Sequence, residues 1–281
     1  MNITLDTCSA RHPAARSGAA DALQALTLHV ASGEQVAIIG PSGAGKTTLL
    51  QLLACALQPS SGTLLLNGRN PWALPRGSLQ RLRGELFLAP QVPPLPPRQR
   101  VVTAVLAGRL PHESLWASAR SLFYPVDIAL AERALAQFDV SDKLFDRVDR
   151  LSGGERQRVG LARALASQAG LFLVDEPLSA LDPSRSQQAI ESLTQAAQQR
   201  SATLVTTLHH VEMALQHFPR IIGLRGGAMA FDLPAAQVTP ERLHQLYDQH
   251  LDELNGPGPA LIFDEPLAAQ PSTRPIALQC R

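Results

Sequence analysis

A glycine-rich segment between a strand-like run and a helix-like run constrains the fold of this 281-residue chain more than any other feature. The apolar residues 35–39 predict a buried strand, and the pattern after them predicts a helix from Lys46 to about Leu57, before Pro59. Backbone N–H groups of a glycine-rich turn can surround an anion without Cβ clashes, and a helix N-terminus favours negative charge. The residues between strand and helix match the phosphate-loop pattern G-x-x-x-x-G-K-[ST]: Gly40, Pro41, Ser42, Gly43, Ala44, Gly45, Lys46 and Thr47.

The side chains at the end of this loop have distinct predicted roles. Lys46 is expected to reach the β- and γ-phosphates of a nucleotide, and the Thr47 hydroxyl to hold Mg²⁺. Only two of the 25 basic residues are lysines, Lys46 and Lys143, so a lysine at this position supports the interpretation. Thr48 is a further candidate contact, although it is also an ordinary residue of a first helical turn. The alternative for the whole loop is a chance glycine-rich turn before a helix.

Two acids follow a second apolar run. Residues 171–174 predict a buried strand, and Asp175 and Glu176 come directly after it. Consecutive strand residues point to opposite faces, but the chain turns at a strand end, so both acids can face a nucleotide. Asp175 is expected to support Mg²⁺ and Glu176 to polarise the attacking water; a solvated strand end is the alternative. A similar pair, Asp264–Glu265, lacks a second phosphate loop and is interpreted as a coincidence.

The remaining pattern predicts an α/β fold with a parallel sheet, because strands and helices alternate. Further strands are expected, and residues 101–169 are expected to be helical with breaks near Pro111 and Pro125. Residues 90–97 are too rich in proline for a helix or a central strand. After about Asn255 the composition shifts to Pro, Gly and Ala, which predicts a loosely ordered tail. The other expected strands are 3–5, 26–30, 63–66 and 202–207, with a hairpin of 221–224 and 229–231.

Composition excludes several classes of protein. No apolar run approaches the roughly 20 residues of a membrane helix, and no signal segment is visible, so we expect a soluble, cytosolic protein. The formal net charge of +1 gives no electrostatic reason to expect nucleic acid. Cys8, Cys55 and Cys280 are scattered and odd in number, so they predict neither a metal site nor a disulfide framework.

A second glycine-containing segment lies at the start of an expected helix, where Leu151 and Ser152 precede the pair Gly153–Gly154. Ser152 with Glu155 three residues later is a capping box, which by itself accounts for the serine. The two glycines would each cost about 1 kcal/mol relative to alanine inside a helix. A plain cap does not need them, whereas close approach of the backbone to an anion does.

Taken together, these motifs closely resemble the ABC-transporter ATPase family over roughly residues 3–250. The resemblance implies a P-loop NTPase with a RecA-like parallel-sheet core and an N-terminal antiparallel β subdomain. It also implies a helical subdomain inserted at about residues 92–165, within an ATPase domain of residues 1–250 that is followed by a tail of residues 251–281. ATP and Mg²⁺ are the implied ligands.

The resemblance also implies roles for single residues. Gln91 is similar to the glutamine that contacts Mg²⁺ and the attacking water, and His209 to the histidine on the γ-phosphate, with His210 as the competing candidate. Residues 179–182 resemble a loop that crosses between subunits. Ser152, Gly153 and Gly154 of one copy would complete the phosphate site of another, which implies a head-to-tail homodimer with two ATP molecules.

Two positions depart from the family pattern. His12 stands where an aromatic ring, usually tyrosine, stacks on adenine, and Arg16 is the alternative stacking group. The segment after Gln91 is rich in proline where bulky apolar residues are usual, which predicts a stiffer connection to the helical subdomain.

Four short segments resemble the phosphonate importer ATPases, including those for phosphite and related anions; amino-acid importer ATPases are the nearest rivals. This resemblance implies integral membrane permease subunits, a periplasmic solute-binding protein as an indirect partner, and a peripheral position on the cytoplasmic face of the bacterial inner membrane. A DNA-repair or chromosome-organising ATPase would need long coiled-coil arms, which the sequence lacks. An ATP-switch scaffold is the other alternative. The four segments are residues 105–110, 122–127, 208–215 and 220–225.

Overall fold

The computed structural model describes residues 1–12, 20–114 and 126–248, together with residues 116, 118 and 120. Its strands, in chain order, are β1 (Ile3–Ala10), β2 (Leu23–Val30), β3 (Gln35–Ile39), β4 (Ser61–Leu66), β5 (Leu86–Ala89), β6 (Leu171–Asp175), β7 (Thr203–Thr207), β8 (Arg220–Arg225) and β9 (Ala228–Pro234). Its α-helices are α1 (Lys46–Leu53), α2 (Arg76–Gly84), α3 (Val101–Leu106), α4 (Ile128–Ala136), α5 (Gly153–Ala166), α6 (Pro183–Gln199), α7 (Val211–His217) and α8 (Pro240–Tyr247).

The strands form two sheets. The first is antiparallel, with the order β2-β1-β4. The second has the order β5-β6-β7-β3-β8-β9, and its strands are parallel except for the β8–β9 hairpin. The predicted α/β class, with a parallel-sheet core and an N-terminal antiparallel sheet, is therefore confirmed.

The central strands separate two hydrophobic cores. Val36 and Ile38 of β3 face the core shared with α1 and the antiparallel sheet, whereas Ala37 and Ile39 face the core shared with the helices α3 to α8. Strand β6 alternates in the same way. Successive side chains of a strand point to opposite faces, so strands that are apolar on both faces must lie in the middle of a layered fold.

The helical part of the chain is interrupted near Pro111, as predicted, because α3 ends at Leu106 and a 3-10 helix follows at Ala107–His112. Pro125, where the second break was predicted, lies outside the described residues. Helices α3, α4 and α5 pack on one another and contribute to the same core. The loop at residues 90–97 forms neither helix nor strand. A Cβ on Gly160 of α5 would lie 2.6 Å from the Pro93 ring, so the proline-rich loop packs tightly on this helix.

Two features differ from expectation. The helix α1 ends at Leu53 rather than near Leu57, because Cys55 adopts a left-handed backbone (φ 55°) that a helix cannot continue through. Helices α2, α7 and α8 were not predicted from the sequence. No helix in the described part of the chain is long and apolar enough to cross a membrane.

Candidate nucleotide site

The glycine-rich loop connects β3 to α1 at the carboxyl edge of the parallel sheet, where α/β folds place their ligands. Gly40 has a φ of 150°, and a Cβ there would lie 2.1 Å from the Leu224 carbonyl oxygen. Gly45 has a φ of 99°, and a Cβ there would lie 2.7 Å from the Ala22 carbonyl oxygen. Only glycine fits these two positions, so neighbouring segments of the same chain determine the shape of the loop.

The side chains that follow the loop differ in accessibility. Lys46 is 5% exposed, and its Nζ donates to the carbonyl oxygens of Gly40 (2.6 Å) and Pro41 (3.1 Å). The ammonium group is thus held over the loop. Thr47 is exposed, whereas Thr48 is 3% exposed. Burial of Thr48 agrees with the alternative that it is an ordinary residue of the first helical turn.

The two acids lie at the end of β6, level with the end of β7. Asp175 pairs with Thr207 in the sheet, and the Thr207 hydroxyl donates to Asp175 Oδ1 at 2.7 Å. The Glu176 N–H in turn donates to the Thr207 hydroxyl oxygen at 2.9 Å. Glu176 has a left-handed backbone (φ 45°), so the chain turns there and the two carboxylates need not point to opposite faces.

The Glu176 carboxylate contacts two residues that are far from it, and from each other, in the sequence. His209 Nε2 lies 2.5 Å from Glu176 Oε1, and Gln91 Nε2 donates to Glu176 Oε2 at 2.7 Å. His210 is exposed and precedes the first residue of α7. Of the two candidate histidines, His209 is therefore the one that contacts the acid.

The environment of Glu176 favours its charged form. The hydrogen bond with His209 lowers the pKa of Glu176 most, partial burial opposes the shift, and the positive charge of Lys46 adds to it. The carboxylate is thus ionised at neutral pH and is able to accept a proton or a hydrogen bond from water.

The Ser152 segment forms the expected capping box at the start of α5. Ser152 N–H donates to Glu155 Oε2 at 2.7 Å, and Glu155 N–H donates to Ser152 Oγ at 3.2 Å. The second glycine, Gly154, lies against the loop at residues 179–182, since its Cβ would be 2.9 Å from the Ala180 carbonyl oxygen. Gly153 is exposed, and a Cβ there would meet nothing within 4 Å.

Comparison with known proteins agrees with this geometry. The ABC transporter family model matches residues 23–179. The chain belongs to the ABC transporter ATPase family. It is 73% identical, over the full length of both chains, to the phosphonates import ATP-binding protein PhnC of Polaromonas sp. (strain JS666).

More distant relatives show the same family. A phosphonates import ATP-binding protein PhnC 2 of Pseudomonas aeruginosa (strain UCBPP-PA14) is 51% identical over 88% of this chain and 91% of the relative. Among solved structures, a dimeric bacterial ABC transporter cassette has a TM-score of 0.70 at 25% identity, covering 83% of this chain and 98% of that chain. Membership of the ABC ATPase family implies that this chain binds ATP.

Of the other predicted residues of this ABC ATPase, some belong to the described part of the chain and others lie outside it. The Asp182 carboxylate accepts from the Arg185 N–H at 3.0 Å and so caps α6, which is a structural role for part of the 179–182 loop. His12 is exposed, two residues after the end of β1. Arg16, Asp264 and Glu265 lie outside the described residues, as does the predicted tail.

Thr207 is the site residue that the sequence reasoning missed. It is fully buried, and it is the only contact described here that joins Asp175 to the backbone of Glu176. The available signal was a pair of threonines, Thr206–Thr207, at the end of a buried strand. A buried hydroxyl at the carboxyl end of a parallel strand needs hydrogen-bond partners, and neighbouring strand ends supply them.

Proposed function

We propose that this chain is the ATP-hydrolysing subunit of an ABC importer for phosphonates or related anions. The proposal rests on one observation: Gln91 and His209 both contact the Glu176 carboxylate, in a chain that also has a phosphate loop. The identity of 73% with a phosphonates import ATP-binding protein, over the whole of both chains, supports the substrate class.

In the proposed reaction, ATP binds with its phosphates against the loop from Gly40 to Thr47. Lys46 then releases the loop carbonyl oxygens and binds the β- and γ-phosphates. Because its ammonium group already lies over the loop, this movement is short. His12 is the proposed stacking partner of the adenine ring.

Mg²⁺ fits the residues at this edge of the sheet. The described residues contain no group of three His, Cys, Asp or Glu side chains that could hold a metal ion without ATP. Mg²⁺ does not need such a group, since it is usually bound by one or two carboxylates together with substrate phosphates. We assign the exposed Thr47 hydroxyl, the Gln91 amide and Asp175 as its protein ligands. Bound there, the ion would neutralise charge on the phosphates.

Glu176 is the proposed base. Because its carboxylate is ionised at neutral pH, it can accept a hydrogen bond from the water that attacks the γ-phosphate. His209 and Gln91 hold its two oxygens in fixed directions, and Thr207 holds its backbone. Preorganisation of this kind lowers the cost of reaching the reactive geometry.

Two copies of the chain are proposed to act together, head to tail. The Ser152–Gly154 segment of one copy would close over the γ-phosphate bound by the other. The exposed position of Gly153 supports this arrangement, because packing among the described residues does not require a glycine there. Closure would be driven by the greater affinity of the paired state for ATP.

The proposed domain arrangement is the one that the family resemblance implies. Residues 1–250 form the ATPase domain, with a helical subdomain at about 92–165 that moves the attached permease, and residues 251–281 form a tail. We place the protein on the cytoplasmic face of the inner membrane, bound to integral permease subunits. A periplasmic solute-binding protein would then supply the substrate to the permease.

The test is purification of the tagged chain from native membranes, followed by measurement of ATP hydrolysis. The complex is assayed with its solute-binding protein, with and without methylphosphonate as the probe. We expect permease subunits to copurify and hydrolysis to rise when the binding protein is loaded.

Each contrary result has a distinct meaning. Copurification with hydrolysis that an amino acid stimulates, and methylphosphonate does not, would reject phosphonate import and favour an amino-acid importer. An active ATPase that purifies without any permease would reject the transport role and favour an ATP-switch scaffold.

A further inference from the structure

The last described helix, α8, reaches the phosphate loop. The Gly40 N–H donates to the Tyr247 hydroxyl oxygen at 3.1 Å, and both groups are buried. Tyr247 is only 1% exposed, and it lies 207 positions after Gly40 in the chain. A long-range hydrogen bond from a side chain to the first residue of a nucleotide loop is a functional candidate that neither the sequence motifs nor the family resemblance indicated.

The helix that carries Tyr247 is firmly placed. Its buried residues Leu243, Leu246 and Tyr247 recur at helical spacing, so α8 packs one face on the core. Arg225, at the end of β8, donates to the Gln245 carbonyl oxygen and lies 3.7 Å from the Asp248 carboxylate. These contacts hold the C-terminal end of α8 beside the strand that flanks the loop.

Gly40 is the residue at which the loop leaves the sheet. The ladder between β3 and β8 ends with the pair Ile39 and Gly223, so the Gly40 N–H lies beyond the paired strand and needs another acceptor. Tyr247 supplies it. On the other side of the same residue, the Gly40 carbonyl oxygen accepts from Lys46 Nζ at 2.6 Å. The orientation of Gly40 therefore affects both the loop entrance and the resting position of the ammonium group.

We propose that Tyr247 is a positioning residue of the nucleotide site: its hydroxyl fixes the entrance of the phosphate loop and thereby sets nucleotide affinity. Its buried hydroxyl contacts the backbone of the loop, so we expect its effect to be on binding rather than on the chemical step. This inference rests on the proposed binding of ATP by the loop. It also gives the C-terminal part of the ATPase domain a direct contact with the phosphate loop.

The test uses Tyr247→Phe in the full-length chain, because this change removes the hydroxyl and keeps the ring that packs in the core. It leaves the buried Gly40 N–H without its acceptor. We expect the Kd for Mg-ADP, measured by titration calorimetry, to rise roughly three- to tenfold, the range of a single lost hydrogen bond. The KM for ATP should rise in parallel, with kcat nearly unchanged.

Leu243→Val is the matched control. Leu243 lies one turn earlier on the same buried face of α8, and no described hydrogen bond joins it to the loop. This variant should lower Tm by loosening the helix while leaving the Kd for Mg-ADP at the wild-type value.

Three results would overturn the inference. These are an unchanged Kd in Tyr247→Phe, an equal rise of Kd in both variants, or a lower kcat with unchanged KM in Tyr247→Phe. A wild-type chain that binds no Mg-ADP would instead reject the proposed function, and this inference with it.

Discussion

The two glycine segments of this ABC ATPase differ in how tightly the rest of the chain packs against them. In the phosphate loop, Cβ atoms on Gly40 and Gly45 would lie 2.1 and 2.7 Å from backbone oxygens of neighbouring segments. In the second segment, a Cβ on Gly153 would meet nothing within 4 Å. Neighbouring segments of the chain require glycine at Gly40 and Gly45, whereas the described residues give no packing reason for a glycine at position 153.

This difference indicates which half of the proposed site a single chain can form by itself. The phosphate loop is shaped from within by β8, by the residues before β2 and by α8. The Ser152 segment forms a capped helix start. Packing among the described residues, however, does not require glycine at the exposed position 153. The second half of the site is therefore expected to be completed by another copy.

The largest effect is expected from Glu176→Gln, which keeps the shape of the side chain and removes the base. Hydrolysis should fall by about two or more orders of magnitude, the usual contribution of a general base, while ATP binding is retained. The variant should accumulate as an ATP-bound dimer, measured by light scattering after size exclusion. Retained turnover would assign the catalytic role to another residue.

Gly40→Ala tests the segment that the chain itself constrains. The added Cβ would collide with the Leu224 carbonyl oxygen, so the loop must distort. Strain of this kind costs of order 1–3 kcal/mol, and we expect the Kd for Mg-ADP to rise about tenfold or more together with a lower Tm. Wild-type affinity and Tm would show that the loop tolerates a side chain, and the contrast between the two segments would fail.

Gly153→Ala tests the other segment and should behave in the opposite way. Alanine is favoured over glycine in a helix, so Tm should stay level or rise, and the monomer should bind Mg-ADP normally. When combined with Glu176→Gln, however, it should weaken the ATP-dependent dimer roughly tenfold, as expected for one or two lost hydrogen bonds. An undiminished dimer would mean that Gly153 has no partner across the interface.

Ser152→Ala separates the structural role of this segment from its role toward a partner. Loss of the cap should cost about 1 kcal/mol of stability, measured by denaturant unfolding. Ser152→Asp keeps a good capping side chain and adds a negative charge, so it should preserve stability and still prevent the ATP-dependent dimer. If Ser152→Asp dimerises like the wild type, the segment does not face phosphates.

The smallest effect is the pH dependence that Glu176 contributes to stability. Its pKa is lowered in the folded chain, so the ionised carboxylate stabilises the fold above the ordinary value of about 4.3 and loses this contribution as the pH falls further. The stability difference between wild type and Glu176→Gln should therefore stay level from pH 7 to about pH 5 and shrink as the pH falls below about 4.3. His209→Ala should reduce that dependence and His210→Ala should not. Equal profiles for both histidine variants would contradict the assigned contact.

Much of the site could be predicted from the sequence because its motifs are local. The phosphate loop, the acids after β6 and the Ser152 capping box each lie within a few residues, and the turn or helix start that they specify depends mainly on neighbours in the chain. The proline-rich segment excluded helix and strand for the same reason. The end of α1 was harder, since the left-handed conformation of Cys55 has no such signal.

Distant contacts were beyond the reach of these patterns. Nothing near Thr207 indicates that it joins Asp175 to Glu176, since that contact depends on the register of β6 against β7. The choice between His209 and His210 rests likewise on which side chain reaches Glu176 across the sheet edge.

The sequence by itself therefore determined the kind of protein: its α/β class, its phosphate loop, its acids and its family. The tertiary structure decided which side chains meet, namely Gln91 and His209 on Glu176, and Tyr247 on Gly40. The physical reason is that turns and helix caps are determined by short-range steric contacts and hydrogen bonds. Contacts between distant residues depend instead on strand register and on helix packing across the whole core.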